Sequence, residues 1–180
     1  VPAVVRYGYG FVQGAEAAAA EMGISNIDMK YHYTGNFDAT PENQTQAASW
    51  YAEGTEVIFA AGGAVGNSVM SAAEAAGAKV IGVDVDQSVE SETVITSAMK
   101  GLAAAVQTTL EQYYNGEFPG GEALVYAADM NGVSLPMETS KFTKFTQADY
   151  DALFAKLASN EIALKKDTDA EDAPSWEPPS

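Results

Sequence analysis

The chain contains no cysteine and a single histidine, His32. Disulfides, thiolate metal sites and cysteine nucleophiles are thereby excluded together. Zinc sites built on His and Cys are implausible, and a Ser-His-Asp triad would have to use that one imidazole. Basic residues are scarce as well: nine Lys and Arg stand against 25 Asp and Glu, a formal charge of −16 at pH 7. A field of that sign repels phosphate backbones, which excludes a general nucleic-acid binder, and argues against docking on anionic head groups. Long hydrophobic runs are missing too. No stretch approaches the roughly 20 apolar residues of a membrane span, and no basic segment followed by an apolar one opens the sequence.

What is present is globular. The 180 residues are 47% hydrophobic and 19% charged, enough for one ordinary domain or two small ones with a real core. Residues 3–22 carry Val4, Val5, Phe11, Val12, Ala15, Ala18, Ala19 and Met22 at helical spacing, closed by Gly23. Residues 27–33 alternate apolar and polar, which predicts a strand. Pro41 opens a helix running to about Glu53. Val57 to Ala60 is a short, continuously apolar run, as a buried parallel strand requires. The loop Ala61-Gly62-Gly63-Ala64-Val65-Gly66 then opens a helix over 67–76, and 79–83 reads as the next strand.

Further on, 92–96 reads as a short strand and 98–115 as a helix, with weaker strand signals near 123–127 and 132–135. Thr146 and Asp149 resemble a capping box before a helix over 147–158. Residues 167–180 hold five acids, three prolines and no base, a tail without core-forming residues apart from Trp176. Alternating strands and helices predict an α/β fold: a doubly wound, mostly parallel sheet with helices on both faces. Such a sheet normally begins with a strand, whereas this pattern begins in a helix, so a strand is expected upstream.

Ligands of open parallel sheets bind beyond the carboxyl ends of the strands, which singles out three loops. In Thr34 to Asp38, Phe37 is an aromatic in a polar loop. It is either tucked onto the domain or offers a stacking face to a flat ligand. In Ala61 to Asn67, Gly62 and Gly63 let backbone N–H groups approach a ligand, although neither a Walker A nor a GxGxxG pattern is present. A tight turn into a helix is the plainer alternative. In Gly82 to Gln87, Asp84 or Asp86 at a strand end can accept hydrogen bonds from a sugar diol, hold Mg²⁺ with further oxygens, or cap a helix. Lys100 is expected in the first turn of a helix, where a cation is poorly placed, so it is either an exposed lysine or a bridge to a ligand oxygen or a carboxylate. His32 reads as an ordinary strand histidine. Asn43-Gln44-Thr45 matches a glycosylation sequon too short to carry weight.

Taken in order, Tyr7 to Ala15, Gly35-Asn36-Phe37-Asp38, Val57 to Gly63, Ile81 to Gln87 and Thr96-Ser97-Ala98-Met99-Lys100 resemble the basic membrane protein family. These are the PnrA-like purine-nucleoside-binding lipoproteins of bacterial ABC importers. The resemblance covers about residues 1–140; its specific part is Gly-Val-Asp-x-Asp-Gln together with Thr-Ser-x-x-Lys. It implies a type I periplasmic-binding fold of two lobes that trap the ligand between them. Residues 1–145 would be the second lobe with its crossover segments near 100–140, followed by the helix and segment of 146–166.

The resemblance further implies that Phe37 stacks on the purine and that Gly62 or Gly63 supplies backbone contacts. Asp84 would hold ribose hydroxyls, and Lys100 would contact the ribose or orient the carboxylate. It implies no catalysis, no cofactor and no metal. The partners would be a purine nucleoside and a membrane permease, with extracytoplasmic anchoring through a lipidated N-terminus that this sequence does not contain. A sugar or autoinducer-type receptor of the same fold is the alternative; a Mg²⁺-dependent phosphotransferase using Asp84 or Asp86 is a more distant one.

Overall fold

A computed structural model describes residues 1–166; the acidic tail predicted over 167–180 lies outside the described residues. The elements are α1 (Pro2–Glu21), α2 (Pro41–Ala52), β1 (Val57–Phe59), α3 (Val65–Ala76), β2 (Lys79–Asp84), β3 (Val94–Lys100), α4 (Leu102–Tyr114), β4 (Val133–Ser134) and α5 (Gln147–Ala158), with a 3₁₀ turn at Ala128–Met130. The sheet has the order β1-β2-β3-β4. β1, β2 and β3 run parallel, and β4 returns antiparallel to β3. The fold is mixed α/β with a predominantly parallel sheet.

The core lies where β1, β2 and β3 meet α3 and α2. Ile58, Val80 and Val94 from the strands pack with Val65, Val69, Met70 and Ala73 of α3 and with Ala47 and Tyr51 of α2. Val80, Val94 and Ala73 are completely enclosed, as apolar residues of parallel strands are when both sheet faces are covered. The next residue along β1 points the other way. The ring of Phe59 meets Phe11 at 5.2 Å and Tyr7 at 6.1 Å, both on α1. Helices therefore cover both faces of β1.

Local signals explain most boundaries. Thr40 caps α2 by accepting from Asn43 N, with Pro41 next in the first turn. Gly77 ends α3 in the left-handed conformation. Thr146 and Asp149 form a reciprocal capping box on α5. Behind α5 the chain returns to α1: the Gln13 side chain donates to Lys165 O at 3.0 Å and accepts from Lys165 N at 2.9 Å.

Several expected boundaries move. Residues 27–33 form no strand. Their alternation is real but reports two unlike surroundings rather than ladder pairing. Tyr31 lies against Gly8 of α1, where a side chain would come within 2.9 Å of the Tyr31 ring. Lys30 pairs with Glu53, and the His32 ring faces Trp50. The helix expected from residue 67 begins at Val65. The strand expected over 92–96 runs instead from Val94 to Lys100, and the helix expected from 98 starts at Leu102. Ala98 and Met99 favour helix intrinsically, but pairing with Val83 and Asp84 of β2 overrides that preference. The signal near 123–127 yields no strand, and that near 132–135 shrinks to Val133–Ser134.

α4 carries no buried residue and exposes Leu102, Val106, Leu110, Tyr113 and Tyr114. An open apolar groove runs along this face, with Glu111 as its one carboxylate. It lacks the convergent polar groups of a small-molecule site. Among the described residues no helix is long and apolar enough to cross a membrane.

Candidate functional site

Because β1, β2 and β3 are parallel, their carboxyl ends lie on one edge of the sheet. The loop after β1 holds Gly62 and Gly63, β2 ends in Asp84, and β3 ends in Lys100. The predicted site residues therefore share that edge.

Phe37 is presented by a small, internally bonded loop. Thr34 Oγ1 donates to Asn36 O at 2.8 Å, Asp38 N donates to Asn36 Oδ1 at 3.1 Å, and Asn43 Nδ2 donates to Asp38 O at 2.9 Å. These bonds use Asn43 structurally and leave it buried, so the sequon at 43–45 is not presented as an acceptor. The ring of Phe37 is half exposed. It lies against Gly63, where an added Cβ would be 3.4 Å from Phe37 Cδ1. Gly63 adopts φ +60°, a conformation that favours glycine.

Asp84 is the centre of a three-residue turn. Its φ is +70°, and Val85 N donates to Val83 O at 2.8 Å across it. A non-glycine residue at the centre of such a turn is strained. The turn is held from below by Gln87, whose Oε1 accepts from Val83 N at 2.8 Å and whose backbone N donates to Ser97 Oγ at 3.1 Å. Asp84 Oδ1 is shielded from solvent and has no aligned hydrogen-bond donor, but Lys100 Nζ sits 2.6 Å from it as an ion pair. The two side chains are each about two-fifths exposed, so water screens the pair.

Lys100 is thus at the last residue of a strand, not in a helix's first turn. Its ammonium lies over the Tyr7 ring, 5.3 Å from the centroid. The Tyr7 hydroxyl is buried and has no hydrogen-bond partner. Burial, and secondarily the charge of Asp84, push its pKa up to about 12.

Asp86 has a structural task. Its Oδ2 accepts from Thr139 Oγ1 at 2.7 Å and its Oδ1 from Ser88 N at 3.0 Å. The bond from Thr139 holds its carboxyl below the usual value. Asp84 and Asp86 thus face different partners and supply no shared ligand set for the Mg²⁺ alternative. Among the described residues no cluster of three or more His, Asp and Glu is placed to hold a metal ion.

The structure brings Phe37 to Gly63 and Asp84 to Lys100, and sets these two pairs on neighbouring strand ends. Tyr7, Gln87 and Ser97 stand in the motifs that carry the family resemblance, but sequence reasoning assigned them no role of their own. Tyr7 was visible as a polar-tipped aromatic one helical turn before Phe11, on the face that meets the sheet. Gln87 and Ser97 lie in those motifs, but nothing local shows that Gln87 N, after β2, donates to Ser97 Oγ on β3.

Comparison with known proteins gives a consistent answer. A family model described as ABC transporter substrate-binding protein PnrA-like matches residues 1–168. The chain is 28% identical over 155 residues to the ABC transporter nucleoside-binding protein BmpA of Lactococcus lactis, covering 76% of this chain and 43% of that protein. It is 30% identical over 141 residues to basic membrane protein D of Borreliella burgdorferi, covering 76% and 41% respectively. An ABC transporter solute-binding protein from Aeropyrum pernix superposes with a TM-score of 0.71 at 22% identity, over 89% of this chain and 54% of the other. One from Conexibacter woesei gives 0.64 at 26% identity, over 83% and 50%. The chain thus spans less than half the length of these two curated relatives.

Proposed function

Since the chain belongs to the family of PnrA-like ABC transporter substrate-binding proteins, a family of solute binders and not of enzymes, we propose that it binds a purine nucleoside for import. The observation that carries this reading is the Asp84–Lys100 ion pair at the carboxyl edge of parallel strands, one strand from the loop that backs the half-exposed Phe37. A carboxylate held by one cation retains acceptor capacity for vicinal hydroxyls, and hydrogen bonds to a charged group contribute about 1.5–3 kcal/mol each. Phe37 offers the purine a flat apolar face, worth about 1–3 kcal/mol per stacked base. Gly62 and Gly63 leave backbone open beside it, and Lys100 donates to a ribose oxygen or orients Asp84.

The described residues form the second of two lobes in this reading, and the ligand is closed between them. The protein acts outside the cytoplasm, anchored by a lipidated N-terminus, and delivers its ligand to a membrane permease. That the Lactococcus relative is a nucleoside-binding protein supports the choice of ligand.

Calorimetry of the protein expressed from its complete reading frame, with inosine, guanosine, adenosine and ribose, tests this. Binding of a nucleoside in preference to ribose is expected. Phe37→Ala should weaken it roughly 5- to 150-fold. No binding of any nucleoside at millimolar concentration rules the reading out. Ribose binding that is indifferent to Phe37→Ala would favour a sugar receptor instead.

A further inference from the structure

β1 ends opposite Ile81, whereas β2 continues to Asp84. Ala60 N donates to Ile81 O at 3.1 Å, so the backbone of Ile81 faces β1. Val83, two residues on, faces the same way, toward chain that has already turned off into Gly62 and Gly63. Its two backbone groups are met without a strand. Val83 O accepts from Val85 N at 2.8 Å, which closes the turn around Asp84, and Val83 N donates to Gln87 Oε1 at 2.8 Å. The Gln87 amide oxygen thus stands where a carbonyl of a longer β1 would be.

Gln87 is itself held at both ends. Its backbone N donates to the Oγ of Ser97, which is completely buried on β3. Its Nε2 donates to Glu90 Oε2 at 3.2 Å, which leaves Oε1 turned to Val83. The side chain lies across Gly82, where a Cβ would come within 2.8 Å of Gln87 Oε1. Ser97 is the register partner of Gly82 and precedes Lys100 by three residues on the same strand. One residue therefore ties the turn that carries Asp84 to the strand that carries Lys100.

Asp84 needs such a brace. Its φ of +70° is one that a non-glycine residue keeps only under constraint. Released, the residue relaxes toward negative φ and its carboxylate turns away from the place the fold gives it. Oδ1 is occupied by Lys100 at 2.6 Å, which leaves Oδ2 as the acceptor that the function proposed above offers to a vicinal diol. We propose that Gln87 is a positioning residue for ligand binding. Through Val83 it holds Asp84 in the turn that sets the direction of Oδ2, without touching the ligand; this rests on the nucleoside-binding reading above. Its loss is felt by ligands that carry vicinal hydroxyls and not by ligands that lack them, because stacking on Phe37 does not depend on the turn.

The test compares wild type with Gln87→Met, each expressed from the complete reading frame, by calorimetry with inosine and dideoxyinosine. The latter lacks both vicinal hydroxyls. Methionine keeps the length of the side chain beside Gly82 and puts a weak acceptor in place of a strong one at Val83 N. Inosine should bind the variant about threefold to tenfold more weakly, and dideoxyinosine should bind both proteins equally. Ser97→Ala removes the other end of the brace, the acceptor of Gln87 N. It should show the same ligand-selective loss, and it carries the test alone should Gln87→Met not fold.

Inosine affinity equal to wild type in the folded variant overturns the inference while leaving the proposed function standing. An equal loss for both ligands overturns it as well, since that marks a loosening of the whole strand edge rather than of Asp84. Failure of the wild-type protein to bind any nucleoside removes the functional reading and this inference together.

Discussion

Replacing Gly82 by alanine tests how the β2 strand end is built. Gly82 sits two residues before Asp84, and a Cβ there would come 2.6 Å from Ser97 Oγ, 2.8 Å from Gln87 Oε1 and 3.1 Å from Gln87 Cβ. These atoms are not loose ends. Gln87 Oε1 accepts from Val83 N, Ser97 Oγ accepts from Gln87 N, and Ser97 is completely buried. Making room means giving up both bonds. Leaving the buried Val83 N–H unpaired costs about 1–3 kcal/mol, and losing the second bond about 0.5–1.5 kcal/mol. Alanine returns about 0.5–1 kcal/mol through its smaller backbone entropy loss. The net destabilisation lies between about 0.5 and 4 kcal/mol, centred near 2 kcal/mol.

Urea denaturation should show this as a midpoint lowered by about 1 M at unchanged slope, for a slope of roughly 2 kcal/mol/M. A double-mutant cycle locates the cause. In a Gln87→Ala background the Oε1 contact and its bond to Val83 N are already gone while the contact to Ser97 Oγ remains, so the Gly82→Ala cost should fall by about 1 kcal/mol without vanishing. A Gly82→Ala protein within about 0.5 kcal/mol of wild type, or costs that simply add, would refute the reasoning.

Asp86 is held below its ordinary pKa of 3.8, chiefly by Thr139. Its contribution to stability is therefore complete above that pH and is lost as the pH falls through the folded-state value. Asp86→Asn should lower stability at neutral pH and flatten the acid limb of the stability curve; an unaltered limb would contradict the Thr139 contact. Gly101→Ala should destabilise the joint between β3 and β4, because the new methyl overlaps the Asn131 carbonyl oxygen, which is backbone and cannot step aside. A cost of about 1–3 kcal/mol is expected. Faster hydrogen exchange at the Gly101 amide, which donates to Gly132 O at 2.9 Å, would report it, and unchanged protection would count against it.

The amino-acid sequence by itself determined the elements whose causes are local. The caps at Thr40 and Thr146, the glycine stop at Gly77 and the apolar runs at 57–59 and 79–83 fold as their residue types dictate. It also singled out Asp84 and Lys100, because an acid at the end of a buried strand and a scarce lysine are visible without coordinates.

Tertiary structure alone decided the rest. Residues 27–33 have strand alternation, but whether a ladder forms depends on a neighbour with free backbone groups, and here the stretch meets the side chains of α1 and α2 instead. Residues 98–100 favour helix, yet pairing with β2 and β4 extends the strand through them. The site was divided in the same way. Sequence named the carboxylate and the cation, but only folding could put Lys100 within 2.6 Å of Asp84 and set Tyr7, 93 positions before Lys100, beneath that lysine. Local propensity acts over a few residues, whereas which distant groups meet is set by how helices cover the sheet.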